Sequence, residues 1–63
     1  MMRQAIATQI GRHLTERRIA AQVSLRELGQ MAGISAAGLS LIQTGHVLAP
    51  LDTLYRVCGA LGI

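Results

Sequence analysis

Apolar positions along the chain fall into four blocks, each with a helical period. Ile6, Ile10 and Leu14 recur at i, i+4 and i+8, one stripe of a helix running from about Arg3 to Ala21. Arg17 and Arg18 lie near its C-terminal end, where the helix dipole favours cations. Gln22 and Val23 form a link. In the second block Leu28, Met31 and Ala32 share a face. In the third, Leu39 and Ile42 face inward, which leaves Ala36, Ala37, Gly38, Ser40 and Leu41 on or near the outer side. Leu54, Val57, Cys58 and Leu61 make the fourth stripe, before Gly62. The pattern predicts an all-α chain of four helices in one domain, residues 1–63.

Residues between the blocks set the boundaries. Ser24 is followed three positions later by Glu27, the spacing of a capping box, and Val23 and Leu28 stand at the places of a hydrophobic staple. The second helix therefore starts after Ser24. Gly33 suits the left-handed end of that helix and Ser35 caps the next. Ile34 and Leu39 repeat the staple spacing around Ser35, and Gly45 closes the third helix. Gly29, inside the second helix, costs roughly 1 kcal/mol relative to Ala, which a tight helix crossing there would explain. His46 to Ala49 is expected as a loop, with Pro50 in the first turn of the fourth helix and Asp52 near its positive end. Two short helices joined by a Gly-containing turn of about three residues form a helix-turn-helix, here residues 24–45. The second helix of such a pair is the one suited to a DNA major groove.

Composition narrows the class. A chain of 63 residues allows one domain with a small core, since about 60% of the unfolded surface is buried at this size. Its net charge of +3 comes from six Arg and no Lys against three acids, a balance compatible with a nucleic-acid partner. Cys58 stands alone, so an intrachain disulfide is excluded and a reducing cytoplasm is the expected compartment. Although 51% of residues are hydrophobic, no apolar run approaches the roughly 18 residues of a membrane span. The N-terminal stretch lacks the apolar core and small-residue cleavage site of a signal peptide. A soluble protein is expected. His13, His46 and Cys58 do not form a spaced ligand set, so neither metal nor cofactor is expected. No nucleophile–base pair, carboxylate dyad or phosphate loop suggests an enzyme.

With SLREL, AGIS, LS followed by I, then G, P, LDTL and ALGI in this order, the chain resembles the lambda-repressor-like (XRE family) helix-turn-helix domain from about Ile10 to Ile63. It looks most like the N-terminal domain of bacterial regulators that carry a C-terminal cupin sensor. The resemblance implies a DNA-binding domain of a bacterial or phage transcriptional regulator, with helix 36–43 in the major groove. It implies phosphate contacts at Ser24, Ser35, Ser40, Thr44 and His46 and at the start of the fourth helix, and base-facing positions at Ala36, Ala37, Gly38 and Leu41. It also implies a fifth helix in the complete protein, so that the chain is an excised or truncated domain, homodimeric when complete.

The chain departs from the family pattern in three ways. The base-facing places often carry Gln, Arg, Ser, Thr or Lys, whereas Ala, Gly and Leu cannot hydrogen-bond a base edge through their side chains. Leu25 stands where the family frequently has a phosphate-binding Gln. Gln43 stands where it usually has a Glu paired with the Arg matched by Arg18, so that pair becomes ion to neutral amide.

Two readings follow. One is a sequence-specific reader of double-stranded DNA, held by phosphates and packing Ala36, Ala37 and Gly38 against thymine methyls. The other keeps the fold but binds a protein through the apolar face of Ala36, Ala37 and Leu41 with Leu48. Arg12, Arg26 and Arg56 read as ordinary solvated charges, Arg18 as a structural tie and Cys58 as a small core residue. His46 is either a phosphate contact or a free surface histidine.

Overall fold

In the computed structural model, which describes residues 2–63, the chain forms four α-helices: α1 Met2–Ala20, α2 Leu25–Ala32, α3 Ala36–Gln43 and α4 Leu51–Leu61. Among the described residues every regular element is helical. α2 packs on α4 and on α3, while α1 lies along α3. One core joins them: Leu14, Leu28, Ala32, Leu39, Ile42 and Val57 are buried together, with Ile10, Val23, Leu25, Ile34, Leu54, Cys58 and Leu61 packed around them. No helix is long and apolar enough to cross a membrane among the described residues.

The faces of two helices differ from those expected. In α1 the buried residues are Ala7, Gly11 and Leu14, and Ile6 is exposed. The reason is proximity: a Cβ at Gly11 would collide with the Gln43 carbonyl and come within 2.6 Å of that of Ile42. Small residues mark this seam, because α1 and the end of α3 approach backbone to backbone. In α2 Leu28, Gly29 and Ala32 are buried and Met31 is exposed. A Cβ at Gly29 would lie 2.5 Å from the Ile34 carbonyl, so the close approach expected there is made by the turn that follows α2, not by a crossing helix.

Helix ends hold more closely to expectation. Gly33 takes the left-handed conformation (φ 72°, ψ 36°) and donates its N–H to the Gly29 carbonyl. α1 stops one residue before the expected Ala21, and Gln22 rather than a glycine adopts positive φ, 59°. Thr44 caps α3, and Gly45 (φ 80°) follows it, buried against Thr8 of α1. Pro50 stands one place earlier than expected, as the N-cap of α4 with no side-chain cap bond. Its extended ψ of 154° places it before the first helical turn, and Asp52 is left as the only acid near that positive end.

Candidate nucleic-acid interface

Both short helices begin with the caps the sequence announces. Ser24 Oγ accepts the Glu27 N–H at 3.0 Å, and the Ser24 N–H donates to Glu27 Oε1 at 2.9 Å. The backbone and then the hydroxyl of Ser24 hold the Glu27 carboxyl below its ordinary range. One donor that a phosphate at Ser24 could use is thereby taken, although the serine itself is exposed. Ser35 Oγ accepts the Gly38 N–H at 3.0 Å. Three residues, Gly33 to Ser35, separate α2 from α3, tightened by the Ile34 N–H donating to the Gly29 carbonyl at 2.8 Å.

α3 shows one face to the core and one outward. Leu39 and Ile42 are buried; Ala36, Ala37 and Leu41 are exposed, Leu41 by 48%. Gly38 is half-buried. A Cβ there would stand 3.1 Å from Ser35 Oγ and 3.5 Å from Ile34 Cγ1, so Gly38 lies under the cap more than on the open face. Ser40 is half-buried as well, and its carbonyl accepts the Thr44 hydroxyl at 2.8 Å. The Thr44 oxygen is also 2.7 Å from His46 Nδ1. Both Thr44 and His46 are exposed at the C-terminal end of α3. Ser35, Ala36, Ala37, Leu41, Thr44 and His46 thus lie along one helix and its two ends, whereas Ser24 sits a helix away, at the far end of α2.

Arg18 is the structural tie expected. Its Nε donates to Gln43 Oε1 at 3.3 Å and its Nη1 to the Val23 carbonyl at 2.8 Å. Thr15 joins them, its hydroxyl 2.8 Å from the Gly11 carbonyl and 3.2 Å from Gln43 Oε1. Gln43 Nε2 is buried without a partner. Arg56, expected as an ordinary solvated charge, reaches the α2–α3 turn: its Nη1 lies 3.9 Å from where a Cβ of Gly33 would be.

Sequence reasoning missed the part played by the start of α1. Gln4 Nε2 donates to the Gly45 carbonyl at 2.8 Å, and Arg3, Gln4, Ala7, His46 and Leu48 line one cleft. Gln4 and Arg3 carry no local signal, since their partners are about forty residues away. Among the described residues no group of three or more His, Cys, Asp or Glu is placed to hold a metal. No family model, curated protein or solved structure matches the chain.

Proposed function

We propose that the chain is a sequence-specific DNA-binding domain of the lambda-repressor-like (XRE) kind, from a bacterial or phage transcriptional regulator, with α3 seated in the major groove. One observation carries this reading: two eight-residue helices, each with a serine N-cap, are held by a three-residue turn so that α3 buries Leu39 and Ile42 and leaves Ala36, Ala37 and Leu41 open. Such a pair is the helix-turn-helix arrangement. The outward side chains are short enough for the backbone of α3 to come close to base edges, with methyl contacts rather than hydrogen bonds as the means of reading. Affinity then depends on phosphates, met by the free amides at the start of α3, by Arg56 beside the α2–α3 turn and by His46 after the C-terminal end of α3. Leu51 and Tyr55, one turn apart on α4 and 83% and 80% exposed, offer apolar area for the pairing of two copies that a two-fold operator requires.

A second reading rests on the same face. Leu41 is exposed, and beside it stands exposed Val47 in place of the expected Leu48, which is half-buried at the cleft with the start of α1; an apolar patch with few charges also suits a protein partner. Salt separates the two. A titration of the chain on mixed-sequence duplex should show log affinity falling linearly with log salt, by close to 0.9 unit for each phosphate neutralised. Affinity that is absent, or flat with salt, would favour the protein partner.

A further inference from the structure

We propose that the outer face of α4 is a seat for the same face of a second copy of this chain, packed antiparallel with Leu51 of each copy over the partner's Gly59. Inside a helix glycine is less stable than alanine, so its presence calls for a close neighbour. Gly11 and Gly29 have one each, since a Cβ there would collide with the Gln43 carbonyl and with the Ile34 carbonyl, and at Gly38 a Cβ would stand 3.1 Å from Ser35 Oγ. Gly59 also lies within a helix, yet a Cβ there would meet nothing within 4 Å. It is exposed, and no contact inside the chain accounts for it.

Leu51, Tyr55 and Gly59 are spaced i, i+4 and i+8 and form one uncharged ridge along α4, about 12 Å from end to end. The ridge is bulky at one end, aromatic in the middle and bare at the other. That order complements itself under a two-fold axis at Tyr55. Antiparallel packing sets each Leu51 over the partner's Gly59 and places the two Tyr55 rings in an offset stack at the centre. Parallel packing would press leucine on leucine and leave a void between the two glycines, which forfeits contacts. A partner of another sequence does not require the two ends of one ridge to match; a second copy does. With α4 only 11 residues and about 16 Å long, the contact is smaller than the roughly 1,200–2,000 Å² of a stable interface, and the pairing is weak in isolation. Its use rests on the DNA reading, in which a two-fold operator holds both copies at once. The pairing itself is tested without DNA, so that either can fail alone.

Sedimentation equilibrium of the parent, taken to millimolar concentration, is expected to show a reversible dimer. Gly59→Leu puts a side chain where the partner's Leu51 belongs. Nothing inside the chain lies close enough to be displaced, so the helical signal by circular dichroism should be unchanged or higher. Self-association should nevertheless weaken by roughly tenfold or more. Unspecific adhesion of an apolar face has the opposite sign, because the variant enlarges the apolar area. In the double variant, Leu51→Gly with Gly59→Leu, the ridge is reversed and bulk again faces bare backbone, so dimerisation should return to within roughly threefold of the parent. Leu51 is the first residue of α4 and is exposed, so its loss leaves the core untouched. In a mixture of isotope-labelled and unlabelled parent, filtered NOEs between the Leu51 methyls and Gly59 Hα read the register, since within one chain the two lie about 12 Å apart. A parent that stays monomeric, Gly59→Leu pairing as tightly as the parent, or a double variant no better than Gly59→Leu would each overturn the proposal. Duplex binding by a parent that never pairs overturns the α4 contact and spares the DNA reading. Pairing by a parent that binds no duplex supports the contact and overturns the DNA reading.

Discussion

Gln43 is half of a tie and half of a defect. Its Oε1 accepts from Arg18 at 3.3 Å, while its Nε2 is buried with no acceptor. An unpaired buried donor costs about 1–3 kcal/mol. A carboxylate in the same place has no N–H to strand and accepts from both Arg18 and Thr15. Gln43→Glu should therefore raise stability by about 1 kcal/mol near neutral pH, read as a higher thermal midpoint. A lower midpoint would show that desolvating the new charge outweighs the pairing. Glu27 allows a test by pH. Its folded pKa is depressed, because Ser24 bonds the ionised form, so its contribution is present above the unfolded value and is lost as pH falls through the lowered one. The thermal midpoint of the parent should fall on acidification below the ordinary carboxylate range by more than that of Glu27→Gln. Equal slopes would mean that the capping box adds nothing in solution. This box was legible in the sequence, since both partners are three residues apart. The orphaned Gln43 amide was not, because burial on all sides depends on where α1 comes to lie.

Across elements, helix starts and stops were written locally and the faces were not. Ser24, Gly33 and Ser35 stand where they were expected because caps and left-handed ends depend on a few adjacent residues. Ile6 and Met31 were misassigned because hydrophobicity marks what a helix could bury, whereas a close approach of two backbones selects glycine and alanine. Gly11 is the clearest case. Gly11→Ala places a methyl against the Gln43 and Ile42 carbonyls, and since backbone cannot move aside as a side chain does, a loss of about 1–3 kcal/mol is expected despite the better helix propensity of Ala. Leu28→Ala, at a wholly buried position, should cost about 2–5 kcal/mol. Leu41→Ala should be nearly neutral. Chemical denaturation of the three variants checks the order. Loss of stability in Leu41→Ala comparable to that in Leu28→Ala would mean that the outer face of α3 is not outer.

For the molecule as a whole, the candidate site was legible in outline through the spacing of Ser24, Gly33, Ser35 and Gly45, which the structure realises as two capped helices and a tight turn. Its edges were not. Arg3 and Gln4 come to the end of α3 only because α1 extends beyond Gly11 and packs Thr8 on Gly45, a pairing of distant segments with no local signature. A side chain at Gly38 would press on the Ser35 cap, 3.1 Å from its Oγ. Ala37 is exposed and carries no such constraint. The most direct measurement is thus fluorescence anisotropy of the parent and of Ala37→Glu on duplex DNA, with circular dichroism to confirm that both are folded. A carboxylate on the outer face of α3 meets phosphates and base edges of like charge, so binding should fall by at least tenfold with the helical signal unchanged. Undiminished duplex binding by folded Ala37→Glu would contradict the seating of α3 in the major groove.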